Sequence, residues 1–388
     1  MWNGKWIGIA VVLMACATAA AQEQGPPVVS PEVSPDGHIT FRLLAPKASE
    51  VILNFDEFTP EKTPMTKDAR GVWTLTIGPK APEIYHYFFT VDGMRAGDLQ
   101  NPIKESPSTV EIPSDPPRFD QIRKVPHGTI SIITYASGDL QRGAYIYLPP
   151  DYTIGNKKYP VLYLFHGGGG WESDWSRQGR TEVIMDNLIA DKKAVPMIVV
   201  MPNNVATAPA IGTFPPPGQA QPANGSYDAM RKDLFDALIP YVEKNYRVIA
   251  NRENRAMAGL SAGGGTTLNV GLNAMDKFAW IGEFSTGLFG GAGPAPGAGG
   301  PAGGGGYAPY DPMKVFPEFY SKPAETNKKL KLFYMSVGTL DPRLPYQQKA
   351  RDDFKAKGIH LVFETFEGAH VWKVWRHSLA DFAPRLFR

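Results

Sequence analysis

From residue 127 to the C-terminus, the apolar residues fall into short unbroken runs separated by stretches of helical spacing. This rhythm restricts the fold more than any other feature. Val161 to Phe165, Met197 to Met201, Ala256 to Gly259, Trp280 to Phe284 and Leu332 to Val337 are near-continuously apolar. A strand can be apolar on both faces only where both are covered, as in a parallel sheet between helices. Thr129 to Tyr135, Gly143 to Leu148 and Leu361 to Phe366 complete the strand-like set. Helix-like stretches lie between them. The clearest is Tyr227 to Asn245, with Leu234, Leu238, Tyr241 and Val242 at helical spacing. Others are Thr181 to Ala190, Gly263 to Leu272, Tyr346 to Ala356 and Trp372 to Phe387. The alternation predicts a mainly parallel sheet flanked by helices, with working residues in loops past the carboxyl ends of the strands.

Upstream the period changes from helical to two. Phe41/Leu43, Val51/Leu53/Phe55, Trp73/Leu75/Ile77 and Tyr85/Tyr87/Phe89/Val91 alternate, with turn residues between the runs. That pattern predicts a small all-β antiparallel sandwich. The expected organisation is a β domain over 27–112, a Pro-containing linker over 113–126 and an α/β domain over 127–388. Residues 1–21 read as a signal peptide. Lys5 supplies the positive end, Trp6 to Ala15 is too short to cross a bilayer, and Ala19-Ala20-Ala21 offers an A-x-A cleavage site. A second reading takes Leu13-Met14-Ala15-Cys16 as a lipobox with a lipid anchor on Cys16. Either implies export, secreted or periplasmic, and no later segment is long and apolar enough to span a membrane.

Composition closes off other classes. Cys16 is the only cysteine, which excludes an intrachain disulfide and a multi-thiolate zinc site. Forty basic against 38 acidic residues, a net charge of +2, provide no electrostatic reason to expect nucleic acid as a partner.

The chemistry is carried by A-M-A-G-L-S-A-G-G-G at 256 to 265. Gly259-Leu260-Ser261-Ala262-Gly263 fits G-x-S-x-G, with an apolar strand before it and a helix-compatible run after it. This is the setting of a nucleophile elbow, whose strained turn exposes the serine hydroxyl above the sheet. A serine needs a base and an acid that orients the base, here expected in the order Ser, Asp or Glu, His. Asp341 follows the run Leu332 to Val337, and His370 follows Leu361 to Phe366, both at carboxyl ends. The expected catalytic residues are therefore Ser261, Asp341 and His370. His377 lies within the last helix and His360 on the wrong edge. Asp352 and Asp353 are mid-helix, and Glu364 and Glu367 sit too close to His370. The oxyanion donors are expected at the backbone N–H of Ala262 and at Gly168, within His166-Gly167-Gly168-Gly169-Gly170 after the first parallel strand. His166 is expected to buttress that loop rather than act as base.

The stretch from about Gly128 onward resembles carbohydrate esterase family 1, the feruloyl and acetylxylan esterases related to enterochelin esterase. The resemblance rests on Y-P-V-L-Y-L-F-H-G-G-G-G at Tyr159 to Gly170, L-I-P-Y-V-E-K-N-Y-R-V at Leu238 to Val248, N-R-A-M-A-G-L-S-A-G-G at Asn254 to Gly264, and G-A-H-V-W-K-V-W-R at Gly368 to Arg376. The segment Gly37 to Pro102 resembles the immunoglobulin-like early-set domain related to family-48 carbohydrate-binding modules. It does so through F-R-L-L-A-P at Phe41 to Pro46, G-V-W-T-L at Gly71 to Leu75, Y-H-Y-F-F-T-V-D-G at Tyr85 to Gly93 and the residues Asp98 to Pro102. The resemblance implies an α/β-hydrolase fold and a Ser261–Asp341–His370 triad. It further implies an ester-substituted plant polysaccharide as substrate and no metal or organic cofactor. Feruloyl ester cleavage is the leading expectation. Acetylxylan or siderophore ester cleavage is an alternative, as is a non-catalytic carbohydrate-binding protein.

Trp175 and Trp372, beside the oxyanion loop and His370, are candidate substrate-binding residues. Trp73 reads as a core residue or a sugar-stacking platform. The Gly-rich stretch 286–306 reads as a passive insertion or a lid.

Overall fold

The computed structural model describes residues 26–55, 61–104, 107–208, 227–286 and 311–388. The described residues divide into two compact units. One contains 26–55, 61–80 and 86–110, and the other contains 81–85 and 111–388. The expected signal segment 1–21, residues 209–226 and the Gly-rich stretch from 287 lie outside the described residues.

The first unit is an antiparallel sandwich. Ile39–Leu44 and Val72–Ile77 form the centre of one sheet, and Val51–Phe55 and Ile84–Val91 the centre of the other. Alternate residues point inward, as a strand's period of two requires. Phe41 from one sheet meets Tyr87 (4.6 Å between ring centroids) and Phe55 (6.0 Å) from the other. A buried polar knot sits beneath. Asp98 accepts from the hydroxyls of Ser30 (2.6 Å) and Tyr87 (2.7 Å), and Asn101 donates to Tyr87 and to the Thr109 carbonyl. Trp73 is 7% exposed, its indole N–H donates to the Ala45 carbonyl and the Lys67 ammonium lies over its ring. It is a core residue with no open face for a sugar.

The second unit contains an eight-stranded sheet. Its strands are β1 (Thr129–Ser137), β2 (Leu140–Leu148), β3 (Val161–Phe165), β4 (Ile198–Pro202), β5 (Arg255–Leu260), β6 (Trp280–Phe284), β7 (Leu332–Gly338) and β8 (Val362–Phe366). Their order in space is β1-β2-β4-β3-β5-β6-β7-β8. The β1–β2 hairpin and the β2–β4 pair are antiparallel, and every pairing from β4 to β8 is parallel. The apolar runs are buried on both faces. Val161, Tyr163 and Phe165 pack into one core cluster, and Leu162 and Leu164 into the other. Register brings Phe165, Gly259 and Glu283 side by side at the carboxyl edge.

Two expectations change in detail. The helix expected over Tyr227 to Asn245 forms, with its middle turn Leu234–Leu238 widened to π geometry. The stretch 113–126, expected as a linker, is fastened to the second unit. Asn187 donates to the carbonyls of Phe119 and Gln121, and Asp120 is buried against Arg376. The segment carries prolines and turns, and its carbonyls find partners on the α/β unit. No described helix is long and apolar enough to cross a membrane.

Candidate active site

Ser261 sits between the end of β5 and the helix Ala262–Thr266 with φ 51° and ψ −114°. A non-glycine residue at positive φ costs on the order of 1–3 kcal/mol, so its surroundings must hold it there. They do so by close backbone contact. A Cβ on Gly259 would lie 2.4 Å from the Gly263 carbonyl carbon, and one on Gly263 would lie 2.4 Å from the His166 oxygen. Both glycines of G-x-S-x-G are thus required by packing. The Ser261 N–H donates to the Phe284 carbonyl at 2.9 Å.

His370 stands in the loop after β8 and Asp341 in the turn after β7. Position 338, at the base of that turn, has to be glycine, because a Cβ there would lie 2.3 Å from the Gly368 oxygen. The Leu340 N–H donates to the same Gly368 oxygen at 2.8 Å. The two loops are thereby joined backbone to backbone. The His370 Nδ1–H donates to Asp341 Oδ2 at 2.7 Å, and the Ser261 hydroxyl donates to His370 Nε2 at 3.0 Å. A carboxylate only accepts, which fixes this tautomer. Three side chains distant in sequence form one continuous hydrogen-bonded line. His377 instead packs between Phe119 and Phe366, and Asp352 and Asp353 are paired with Arg351 and Lys349.

The loop after β3 passes beside Ser261. A Cβ on Gly168 would lie 3.7 Å from the Ala262 methyl, so the two residues expected to supply the oxyanion donors adjoin. His166 is 1% exposed. Its Nδ1–H donates to the Gly167 carbonyl at 2.8 Å, and its Nε2 accepts the Asn204 N–H at 2.8 Å. It braces the loop and has no free nitrogen.

Residues 137–386 match the profile of the family described as "Putative esterase". The chain belongs to this esterase family. Residues 29–108 match carbohydrate-binding module 48, the isoamylase N-terminal domain. The endo-1,4-beta-xylanase/feruloyl esterase of Xylanibacter ruminicola is 34% identical over 378 residues, 92% of this chain and 46% of that protein. The chain thus spans about half the length of this curated relative. The ferulic acid esterase of Anaeromyces mucronatus, solved with ferulic acid, shares the fold with a TM-score of 0.54 at 22% identity. That match covers 69% of this chain and 93% of the other. The enterobactin esterase of Shigella flexneri aligns with a TM-score of 0.59 at 16% identity, over 89% and 92% of the two chains. The α/β-hydrolase fold preceded by a β-sandwich, expected from the sequence, is the architecture of this esterase.

Burial tunes the titrating groups of the esterase. It pulls the His370 imidazole below its ordinary range, against the opposite pull of Asp341. For Asp341, burial raises the carboxyl, but the His370 bond, the charge of His370, the Arg343 N–H and the Arg343 guanidinium together bring it below the usual carboxylate range. His166 is pushed down to about 4 by burial and is neutral at ordinary pH. Among the described residues, no group of three or more His, Cys, Asp or Glu side chains is placed to hold a metal.

The expectation that Trp175 and Trp372 meet substrate is corrected by their burial. Trp175 is 1% exposed and its indole N–H donates to the Phe165 carbonyl at 2.9 Å. Trp372 is 6% exposed and stands edge-on between Trp175 (5.3 Å) and Trp375 (5.2 Å). Both are wall rather than surface. Sequence reasoning missed Arg343, whose N–H donates to Asp341 Oδ1 at 2.9 Å, and Trp375, edge-on to the His370 ring at 4.9 Å. No local pattern marks either one.

Proposed function

We propose that this chain is an exported serine carboxylic-ester hydrolase that releases hydroxycinnamic acids, ferulic acid above all, from arabinoxylan. The observation that carries the reading is the unbroken Ser261–His370–Asp341 line with the serine at positive φ. His370 Nε2 takes the Ser261 proton as Oγ attacks the ester carbonyl carbon. The developing oxyanion is met by the N–H groups of Ala262 and Gly168. His370 then passes its proton to the departing sugar oxygen as the carbonyl–oxygen bond breaks, leaving an acyl-serine. Water attacks that ester with His370 again as base. The acid departs and Ser261 regains its proton. Asp341 stays ionised throughout and stabilises the transient imidazolium. The feruloyl preference is supported by the named activity of the Xylanibacter ruminicola relative. Export is supported by the leader-like residues 1–21.

A fluorophosphonate probe tests the nucleophile. The wild type is expected to label, and Ser261→Ala to remain unlabelled with its fold intact. Labelling of Ser261→Ala would end the assignment. Rates on methyl ferulate, acetylated xylan and a catecholate triester, measured side by side, decide the acyl group. A preference for either of the last two would replace the feruloyl reading.

A further inference from the structure

Glu283, the penultimate residue of β6, is fully buried. Its Oε2 accepts two bonds, from the Thr286 N–H at 2.9 Å and from the Gln347 side-chain amide at 3.0 Å. Its Oε1 has no partner among the described residues. An ionised carboxylate deep in a protein calls for a cation or donors on both oxygens. A neutral acid can accept through one oxygen alone, which is the pattern of bonds found here at Oε2.

Both donors lead to the site. The Thr286 hydroxyl donates to the Ser261 carbonyl at 2.6 Å, and Phe284, next to Glu283, accepts the Ser261 N–H. The end of β6 thus grips both backbone polar groups of the strained serine. Thr286 also fills the space of a side chain missing from the elbow helix: a Cβ on Gly264 would lie 1.7 Å from its hydroxyl oxygen. In the other direction, Gln347 belongs to the helix Leu344–Ala356, whose start is hydrogen-bonded to the Asp341 turn through the Leu344 N–H and the Asp341 carbonyl. Glu283 is where the scaffold of the nucleophile meets the scaffold of the acid.

We propose that Glu283 is a positioning residue, a neutral carboxyl that fixes Thr286 against the Ser261 carbonyl and ties it to the helix behind Asp341. Burial pushes its proton affinity well above the ordinary carboxylate range, and the neighbouring Asp341 charge adds to this. Keeping Glu283 uncharged also spares Asp341 a second buried anion beside it. The inference rests on Ser261 being the nucleophile.

The test is the rate of inactivation by a fluorophosphonate, with kcat and KM on methyl ferulate. Glu283→Ala is expected to slow inactivation and lower kcat about tenfold or more, with KM within about twofold, because a small misplacement of the nucleophile is costly. Glu283→Gln keeps a neutral acceptor oxygen and is expected to restore both to within about threefold. Thr286→Val, which removes the hydroxyl that bonds the Ser261 carbonyl and leaves the Thr286 N–H to Glu283 in place, is expected to slow inactivation in the same way. Wild-type inactivation rates in Glu283→Ala would overturn the proposal, as would a Glu283→Gln enzyme as slow as the alanine variant. Should Glu283→Ala fail to fold, Thr286→Val decides alone: unchanged inactivation there overturns it. A wild type that the probe leaves unlabelled brings down the nucleophile reading itself, a result distinct from these.

Discussion

The turns after β3 and β8 each present a histidine at the carboxyl edge of one sheet, His166 buried and His370 half-buried, yet they are built for opposite ends. In both, burial lowers the affinity of the ring for a proton. His166 spends both nitrogens on backbone groups, the Gly167 carbonyl and the Asn204 N–H. His370 spends one on a carboxylate and faces a serine hydroxyl with the other. A depressed proton affinity therefore does not distinguish a base from a brace. What separates them is whether one nitrogen meets a group that can give up its proton while the other meets a fixed negative charge.

The sharpest way to break this contrast is to exchange the losses. His370→Ala is expected to lower kcat by about 10³-fold or more with little change in stability. His166→Ala is expected to cost about 1–3 kcal/mol of stability through the stranded Asn204 N–H and Gly167 carbonyl, and to lower kcat about tenfold by loosening the oxyanion loop. Steady-state kinetics and urea unfolding on both variants check this. Equal kinetic damage from the two would erase the distinction.

An effect smaller than the loss of His370 is expected where the His370 loop meets the acid turn. Gly338→Ala drives a methyl into the Gly368 and Ala369 carbonyls. It should lower kcat about 10- to 100-fold by pulling His370 from Asp341. Unchanged turnover would show that the loops hold their register without that contact.

The last effect is one of pH and falls on stability rather than turnover. The unfolded chain protonates His166 near 6.5, whereas the folded protein resists until about 4. Below 6.5 the unfolded state binds the extra proton, so stability falls as pH drops from about 6.5 towards 4, by on the order of 3 kcal/mol. Urea unfolding at pH 7 and pH 4.5 should reveal this loss, and His166→Gln should shrink it. His370 has the same sign, and only its neutral form accepts the serine proton. The acid limb of kcat/KM is therefore expected below pH 6.5.

Much of this was legible in the residues. Unbroken apolar runs announce strands covered on both faces, and Ser261 and Asp341 each follow one, while His370 follows the more mixed run Leu361 to Phe366. His166 was also readable as a buttress from its place at the mouth of the glycine loop. Other parts leave no local trace. Trp175 adjoins that loop in sequence, but the short helix Asp174–Arg177 turns its ring inward to the Phe165 carbonyl. Glu283, Thr286 and Gln347 act together only through tertiary contact, at spacings that match no motif. The Pro-containing stretch 113–126 reads as a tether because composition does not reveal that Asn187 waits to receive its carbonyls.

That stretch has a practical consequence for dissecting the molecule. Arg376, fully buried six residues beyond His370, is neutralised by Asp120 and Glu83, one from the strapped segment and one from residues 81–85. An expression fragment started at residue 127 would strand that guanidinium without either counter-ion, a loss on the order of 3–5 kcal/mol. The hydrolase therefore depends on residues 81–85 and 111–126 as well as on 127–388, and the tidy cut suggested by the prolines falls in the wrong place.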